Sequence, residues 1–403
     1  MTGGVLALLP LALPAAANPY QTINVSLASG PSPFASCDIS GDVGTNYLDT
    51  EVEPWVAVDP NDSNHLVAVW QQDRWNNGGA RGLMTGVSFD GGLTWPVQTF
   101  AHFSKCSGGT PANGGDFDRA SDPWVTISPN GDVYQIALSI SFVSATESAV
   151  LVSKSTDGGV SWGEPVTLAR DDFTVGAQLF HDKESITADP LDSNFVYAVW
   201  DRSRFPSDQG KPFGGFPHSF RGDIMFARTT DGGQTWEPAR AIFQPQANEA
   251  SIGHIIAVIP DGTLVDIFDR LKGSGNNRPG FDIAVVRSTD RGVTWSSPLH
   301  VADELALGVR DPDTGFPVRA GVGLPDIAAD LNPSSPGYGN LYAVWGDGFS
   351  KQATHNGIAF TMSTDGGLTW TPITRISKTD PSIDAFTPAI DVASDGTVGV
   401  AYY

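Results

Sequence analysis

The sequence predicts an all-β fold made of repeated units. The most direct evidence is an eight-residue motif, written STDGGVSW at residues 155–162, that occurs five times in the 403 residues. The composition agrees, because 45 glycines, 29 prolines and 11 tryptophans with only 17% charged residues are typical of short strands joined by tight turns. A chain of this length forms either two domains or one repeat array, and the five copies favour the array.

Each copy of the motif is predicted to be a hairpin turn. The copies read SFDGGLTW, STDGGVSW, TTDGGQTW, STDRGVTW and STDGGLTW, and their aspartates are Asp90, Asp157, Asp231, Asp290 and Asp365. Within the motif the aspartate can accept backbone N–H bonds and the glycine permits a positive φ. An alternating apolar segment such as RGDIMFAR precedes each copy, which indicates a strand that leads into the turn.

The pattern S-x-D-x-G-x-T-W resembles the Asp box of the sialidase-like β-propellers, and the resemblance extends from about Glu53 to the C-terminus. It implies a six-bladed β-propeller over residues 51–403, with five complete blades and a last blade truncated after two strands. It also implies that the five aspartates are structural, since the boxes of that family lie on the face opposite the active site. We therefore expect the natural chain to continue past Tyr403.

Aligning the blades with one another identifies a position on the first strand that differs between them. It is proline in four blades, at Pro54, Pro123, Pro325 and Pro388. The third and fourth blades have Glu184 and His254 instead, so we expect these two residues to face a shared cleft. His181, Asp182 and Lys183 precede Glu184 and are expected at the same rim, His181 and Lys183 as substrate-binding residues. The alternative, a polar pair that plugs the channel, stays open.

The second strands of three blades end in the same dipeptide, Asp-Arg. Its arginines are Arg74, Arg202 and Arg270. Three guanidinium groups at matching places could converge on a carboxylate ligand, although each could also pair with a nearby aspartate. Asp73, in the first dipeptide, is a candidate acid. Tyr403 occupies the corresponding place in the sixth blade and is a candidate catalytic tyrosine.

From these residues we expect that the chain is a glycoside hydrolase that acts on acidic, carboxylated sugars and that its partner is a carbohydrate. Glu184, His254, Asp73 and Tyr403 are the catalytic candidates. The Arg-Ile-Pro signature of sialidases is absent, because its place reads Glu53-Pro54-Trp55. Two alternatives remain: a polysaccharide lyase that uses histidine or lysine to move protons, and a propeller that binds glycans without turnover.

The N-terminal region suggests export. Residues 1–17 resemble a signal peptide, with an apolar run followed by small residues, and residues 18–50 form an extension before the repeats. The two cysteines, Cys37 and Cys106, are expected to form a disulfide in a secreted chain.

Charge and motif content exclude other classes of partner. The net charge of −22 repels nucleic acid, and no apolar run is long enough to span a membrane. The sequence contains no metal-binding or cofactor motif, so we expect no cofactor and no metal. It makes no prediction about the oligomeric state.

Overall fold

The computed structural model describes residues 25–143, 146–174, 178–204, 221–272, 280–320 and 323–403. The predicted signal peptide, residues 1–17, lies outside the described residues. In the described part of the chain, the regular structure is β-strand except for one short 3-10 helix at Lys105–Ser107. The same part contains no helix with the length and apolarity of a membrane span.

The described strands form five four-stranded units and one two-stranded unit, and consecutive strands within a unit pair antiparallel. Unit 1 comprises β1 (Glu51–Asp59), β2 (Asp62–Arg74), β3 (Ala80–Ser88) and β4 (Val97–Thr99); unit 2 comprises β5 (Arg119–Ile127), β6 (Val133–Ser141), β7 (Glu147–Ser155) and β8 (Val166–Asp172). Unit 3 comprises β9 (Leu179–Ala188), β10 (Val196–Arg204), β11 (Arg221–Thr229) and β12 (Arg240–Phe243); unit 4 comprises β13 (Glu249–Val258), β14 (Leu264–Lys272), β15 (Gly280–Ser288) and β16 (Leu299–Asp303). Unit 5 comprises β17 (Asp326–Ala329), β18 (Leu341–Asp347), β19 (Gly357–Ser363) and β20 (Thr374–Arg375); unit 6 comprises β21 (Ala389–Val392) and β22 (Val398–Ala401).

The hydrophobic core is divided among the contacts between successive units. Units 1 and 2, for example, share a cluster that contains Val67 and Val69 from one side and Val125 and Ile127 from the other. Equivalent clusters join units 2 and 3, 3 and 4, 4 and 5, and 5 and 6. The second strands of the units pack on both faces, which explains why β2, β6 and β14 are buried along most of their length.

The five motif turns have the same hydrogen bonds. In the second copy, Ser155 Oγ donates to Asp157 Oδ1 at 2.7 Å, and Ser161 Oγ donates to Asp157 Oδ2 at 2.6 Å. The same two bonds recur at Asp90, Asp231, Asp290 and Asp365. Burial works against ionisation of Asp365, but these bonds outweigh it and lower the pKa to about 2.

Each motif turn from unit 2 to unit 5 also contacts the preceding unit. The carbonyl of Gly158 accepts a bond from His65 in unit 1, and that of Gly232 accepts one from Lys154 in unit 2. Arg228 and Arg287 make the corresponding bonds to the turns of units 4 and 5. The motif therefore fastens neighbouring units together, and it does so at the same end of every unit.

The N-terminal segment, residues 25–50, covers the face of unit 1 that lies away from unit 2. Phe34 is buried there against Trp70 and Met84. A disulfide joins Cys37 to Cys106, with the two Cα atoms 5.6 Å apart. Apolar packing and the disulfide thus hold the segment on unit 1.

Candidate functional site

The first strands of units 1 to 4 contain the same irregularity near their start. In each, two residues lie opposite one residue of the second strand, which is a β-bulge. The bulge pairs are Glu53-Pro54, Asp122-Pro123, Lys183-Glu184 and Gly253-His254. The first residue of every pair has a positive φ, between 47° and 72°. This conformation is costly for residues other than glycine, and such strain is concentrated at functional positions.

Three of these strained residues meet one another. Lys183 Nζ lies 2.9 Å from Asp122 Oδ2 and 3.6 Å from Glu53 Oε2. Because the bulges lie at the start of the first strands and the motif turns join the third strand to the fourth, this charged cluster is at the end of the units opposite the turns. We call these three residues, together with Asp182, Glu184 and Asp201, the central charge cluster.

The carboxyl groups of the cluster have different pKa values because their surroundings differ. Burial opposes ionisation of Asp122, but the adjacent Lys183 ammonium outweighs it and holds the pKa of Asp122 below its ordinary value. Burial and the charge of Asp122 raise the pKa of Asp182 to about 7. The cluster therefore pairs an ionised carboxylate with a carboxyl group that exchanges its proton near neutral pH.

Glu184 and Asp201 are the most deeply buried acids of the cluster. Each is 3% exposed, and both oxygens of Glu184 lack a hydrogen-bond partner within the described part of the chain. Burial raises the pKa of Glu184, and the nearby Asp122 adds to this. Burial and the nearby Asp182 likewise raise the pKa of Asp201. The buried surroundings therefore disfavour the ionised form of both carboxyl groups.

Two guanidinium groups lie at the edge of the cluster. Arg319 forms an ion pair with Glu53. Glu53 also accepts a 2.6 Å bond from Gln71, whose carbonyl oxygen in turn accepts a bond from Arg74. Burial and the like charge of Arg319 lower the pKa of Arg74. Among the described residues, no carboxylate lies within ion-pair distance of Arg74, so its positive charge is not matched by a direct partner.

No group of three or more His, Cys, Asp or Glu side chains in the described ranges has the geometry of a metal site. The candidate site therefore consists of carboxyl groups and cations, which can transfer protons and bind charged or hydroxylated ligands. These are the functions that the geometry directly supports.

Comparison with solved structures identifies the fold. Hadza microbial sialidase Hz136 superimposes with a TM-score of 0.53 at 19% sequence identity, covering 87% of this chain and 62% of that one. The chain has the fold of the sialidase-like β-propellers. The α-L-arabinanase of Penicillium chrysogenum, solved with arabinobiose, gives a TM-score of 0.54 at 13% identity over 88% of this chain and 93% of that one. An ulvan lyase of polysaccharide lyase family PL25 gives 0.51 at 13% identity, over 90% and 78%.

Sequence comparison is less extensive. No protein-family model matches the propeller chain. Xyloglucanase Xgh74A of Acetivibrio thermocellus is 26% identical over 231 residues, which are 56% of this chain and 24% of that protein. The chain thus spans about a quarter of the length of the curated relative that it matches.

Three of the residues selected from the sequence lie in or beside the central charge cluster of the propeller. Lys183 and Glu184 belong to it, and Arg74 reaches it through Gln71. The shared cleft expected for Glu184 and His254 stays a prediction, and the side-chain contacts shown for His254 lie within unit 4. Its Nδ1 lies 2.9 Å from Asp266 Oδ2 and its ring packs on Phe268.

The expected convergence of three arginines is corrected. Arg202 Nη2 pairs with Asp223 Oδ2 at 2.9 Å, and Arg270 Nη2 pairs with Asp282 Oδ2 at 2.7 Å. Each aspartate lies directly opposite its arginine on the third strand of the same unit. The alternative considered from the sequence, a local ion pair, is what the structure contains.

His181, Asp73 and Tyr403 have other partners than those expected. His181 is fully buried; its Nδ1 accepts a 2.9 Å bond from Trp200, and its Nε2 lies 2.9 Å from Asp171 Oδ2. Asp73 is fully buried, and its carboxylate accepts bonds from Ser32 Oγ and the backbone N–H of Asp49 in the N-terminal segment. Tyr403 is 74% exposed and stacks on Phe386. These contacts occupy the imidazole of His181 and the carboxylate of Asp73, the groups that substrate binding or catalysis would need.

The sequence analysis missed several residues of the cluster. Those residues are Glu53, Asp122, Asp201 and Arg319, whereas Asp182 was expected at the same rim as His181 and Lys183. A signal for the first two was present, since each directly precedes the aligned proline of its unit, at the position that Lys183 occupies in unit 3. Arg319 lies in the long connection between β16 and β17 and has no counterpart in the repeat.

Proposed function

We propose that this protein is a glycoside hydrolase and that its active site is the central charge cluster. The observation that supports this most is the pair formed by Asp122, which stays ionised, and Asp182, which has a pKa of about 7. Glycoside hydrolysis requires one carboxyl group as a proton donor and one ionised carboxylate. The fold neighbours include sialidases and an arabinanase, which is consistent with this chemistry.

In the proposed reaction Asp182 donates its proton to the glycosidic oxygen as the bond to the anomeric carbon breaks. Asp122 stabilises the positive charge that develops on the sugar ring. Water supplies a hydroxyl to the anomeric carbon, and its remaining proton restores Asp182. The net reaction adds one water across the glycosidic bond.

The proposed substrates carry a carboxylate. Burial and the like charge of Arg319 lower the pKa of Arg74, and an anionic group bound between the two arginines would relieve the repulsion between them. Arg319 is accessible, with 59% of its side chain exposed. Arginine is well suited to carboxylates because its planar fork makes two parallel hydrogen bonds.

The structure favours hydrolysis over elimination by a lyase. Elimination needs a base such as a free histidine or lysine. His181 and His254 are buried and bound to aspartates. Although burial opposes protonation of Lys183, the carboxylates of Asp122 and Glu53 outweigh it and raise the pKa of Lys183 above its ordinary value. Lysine in that state holds its proton and is a poor base.

We also propose that the six units are the blades of a six-bladed ring and that the chain is exported. The support for six blades is the order of the units. The first strand of each unit contacts the first strand of the next unit. The support for export is the disulfide between Cys37 and Cys106, since such bonds persist in oxidising compartments.

Product analysis tests the proposed activity. The full chain is incubated with neutral, uronate-containing and sialic-acid-containing glycans, and the products are identified by mass. We expect saturated sugars that have gained one water, and Asp182→Asn should lower kcat at least a hundredfold. Asp313→Asn, at an exposed loop position, is the matched control. Unsaturated products would identify a lyase, and binding without any product would contradict an enzymatic role.

The choice of acidic substrates is tested separately. Arg74→Ala should weaken binding of a carboxylated sugar at least tenfold more than binding of its neutral analogue, because only the charged ligand uses the guanidinium. Arg310→Ala removes an exposed arginine that binds only the carbonyl of Gly315 among the described contacts and serves as the control. Equal losses for both sugars would contradict the proposed carboxylate recognition.

A further inference from the structure

A second cleft lies on unit 2, apart from the central charge cluster in the residues that form it. Its volume is about 450 Å³, and it is lined by Lys105, Gly109, Thr110, Pro111, Asp116, Ser141 and Arg170. The volume falls within the range of roughly 300–1,000 Å³ that is usual for small-molecule sites. Ser141 ends β6 and Arg170 lies near the end of β8, so the cleft opens at the same end of the fold as the central charge cluster.

One wall of the cleft is a loop held in a single conformation by its own backbone. The amide of Lys105 donates to the carbonyl of Phe117 at 2.8 Å, and the amide of Gly109 donates to the carbonyl of Ser104 at 2.7 Å. A Cβ at Gly109 would lie 1.8 Å from the carbonyl oxygen of Gly115, so this closure requires glycine. The adjacent disulfide of Cys106 ties the loop to the N-terminal segment. Because this loop is already ordered before a ligand binds, less conformational entropy is lost on binding.

The charged groups of the cleft are paired with one another. Arg170 Nη1 lies 3.0 Å from Asp116 Oδ1, and its Nε donates to Glu147 Oε2 at 2.7 Å. Lys105 Nζ lies 2.6 Å from Asp118 Oδ1. Every cation of the cleft is thus matched by a carboxylate, which leaves little net charge to attract a phosphate or a sugar acid.

Hydrogen-bond donors and acceptors are nevertheless accessible side by side. The side chains of Lys105 and Arg170 are 31% and 37% exposed, and that of Asp116 is 22% exposed. A sugar hydroxyl both donates and accepts, so two adjacent hydroxyls can bridge a cation and its carboxylate partner. The ring of Pro111 is exposed at the edge and offers an apolar surface for the C–H face of a sugar.

We propose that this cleft is a second saccharide-binding site and that it takes neutral, hydroxyl-rich sugars. It differs in specificity from the central charge cluster, where Arg74 provides an unmatched positive charge. The two sites open at the same end of the fold. A glycan bound in the cleft therefore lies at the end of the fold that contains the central charge cluster. The proposal does not require that the central charge cluster be catalytic.

Calorimetric titration tests the proposal on the full chain with Asp182→Asn, which prevents turnover. The probes are neutral xylo-, arabino-, gluco- and galacto-oligosaccharides. Thr110→Trp fills the cleft from an exposed position, and we expect it to weaken binding of the recognised sugar at least tenfold. Thr374→Trp, at an exposed position of β20, should leave the affinity unchanged. Thermal melting of both variants checks that the fold is retained.

A second variant tests the role of the paired charges. Asp116→Asn keeps the size of the side chain but removes a carboxylate from Arg170, and it should also weaken binding of the neutral sugar. The proposal is overturned if none of these sugars binds at millimolar concentration, or if Arg74→Ala abolishes binding while Thr110→Trp leaves it intact. Binding that depends on Thr110, together with a wild-type chain that hydrolyses none of the tested glycans, would support the second site and contradict the proposed hydrolase.

Discussion

Lys183 in unit 3 and Asp122 in unit 2 lie 2.9 Å apart across the boundary between the two units. Both are the first residue of a bulge, with φ angles of 47° and 52°. The strained backbone directs the two charges toward each other, and Glu53 of unit 1 approaches the same lysine. One ammonium group thus contacts carboxylates from two other units, which makes the centre of the fold sensitive to its removal.

Lys183→Met is expected to lower the free energy of unfolding by roughly 3 kcal/mol, because it leaves the buried Asp122 carboxylate without its cation. Chemical denaturation measures the loss. Lys183→Met combined with Asp122→Asn should recover part of the stability, since the second change removes the unpaired charge. Lys351→Met, at an exposed position, should have little effect. A double variant less stable than the single one would contradict the inferred pairing.

Stability should fall below pH 6.5 because of His181. Burial lowers the pKa of this residue beneath its ordinary value of 6.5, so the unfolded chain binds a proton that the folded chain does not. The contribution of His181 to the free energy of unfolding is therefore fully present above pH 6.5 and is lost as the pH falls below that value. His181→Phe should flatten the dependence of unfolding free energy on pH between 7 and 5. His355→Phe is the control, and an equal slope in the wild type and His181→Phe would rule out this assignment.

Asp326 should produce the opposite dependence. Burial raises its pKa to about 7, so the folded chain retains a proton that the unfolded chain has lost above its ordinary value of 3.8. The contribution of Asp326 to the free energy of unfolding is complete below pH 3.8 and is lost as the pH rises through 7. The total loss is at most about 4 kcal/mol. Asp326→Asn should remove this slope in denaturation experiments between pH 4 and 7. Asp313→Asn, at an exposed loop position, should retain it; a variant of Asp326 with an undiminished slope would show that another group is responsible.

The motif turns can be tested with two glycines of unit 2. Gly131 and Gly159 have φ angles of 85° and 89°. A Cβ at Gly131 would meet nothing within 4 Å, whereas at Gly159 it would lie 3.2 Å from side-chain atoms of Val67 and Val87 in unit 1. Gly131→Ala should cost about 1 kcal/mol from backbone conformation alone. Gly159→Ala should cost roughly 1–3 kcal/mol more through crowding at the unit boundary. Equal melting temperatures for the two variants would mean that this boundary is loosely packed.

The repeated motif was sufficient to predict the all-β fold and the role of its turns. The bonds made by Asp157 involve residues within the same eight-residue segment, so local sequence specifies them. Their repetition made them recognisable without any knowledge of the tertiary structure. The pairing of strands around each turn follows from the same local pattern.

The candidate site could be predicted only in part. Aligning the repeats selected Glu184 and Lys183 because they replace the residues found in other units, and both lie in the central charge cluster. The same procedure selected Arg202 and Arg270, which are bound by Asp223 and Asp282. A sequence pattern shows that charges recur, but it does not show which carboxylate already neutralises each one.

The sequence by itself determined the features that depend on neighbouring residues: the motif turns and the alternating strands that lead into them. Only the tertiary structure decided which charges meet, because Glu53, Asp122 and Lys183 come from different units and are joined by bulges that redirect their side chains. Burial, which raises the pKa of Asp182 to about 7, also arises only when the units pack. Long-range packing and desolvation therefore determine the chemistry of the site, whereas local hydrogen bonding determines its framework.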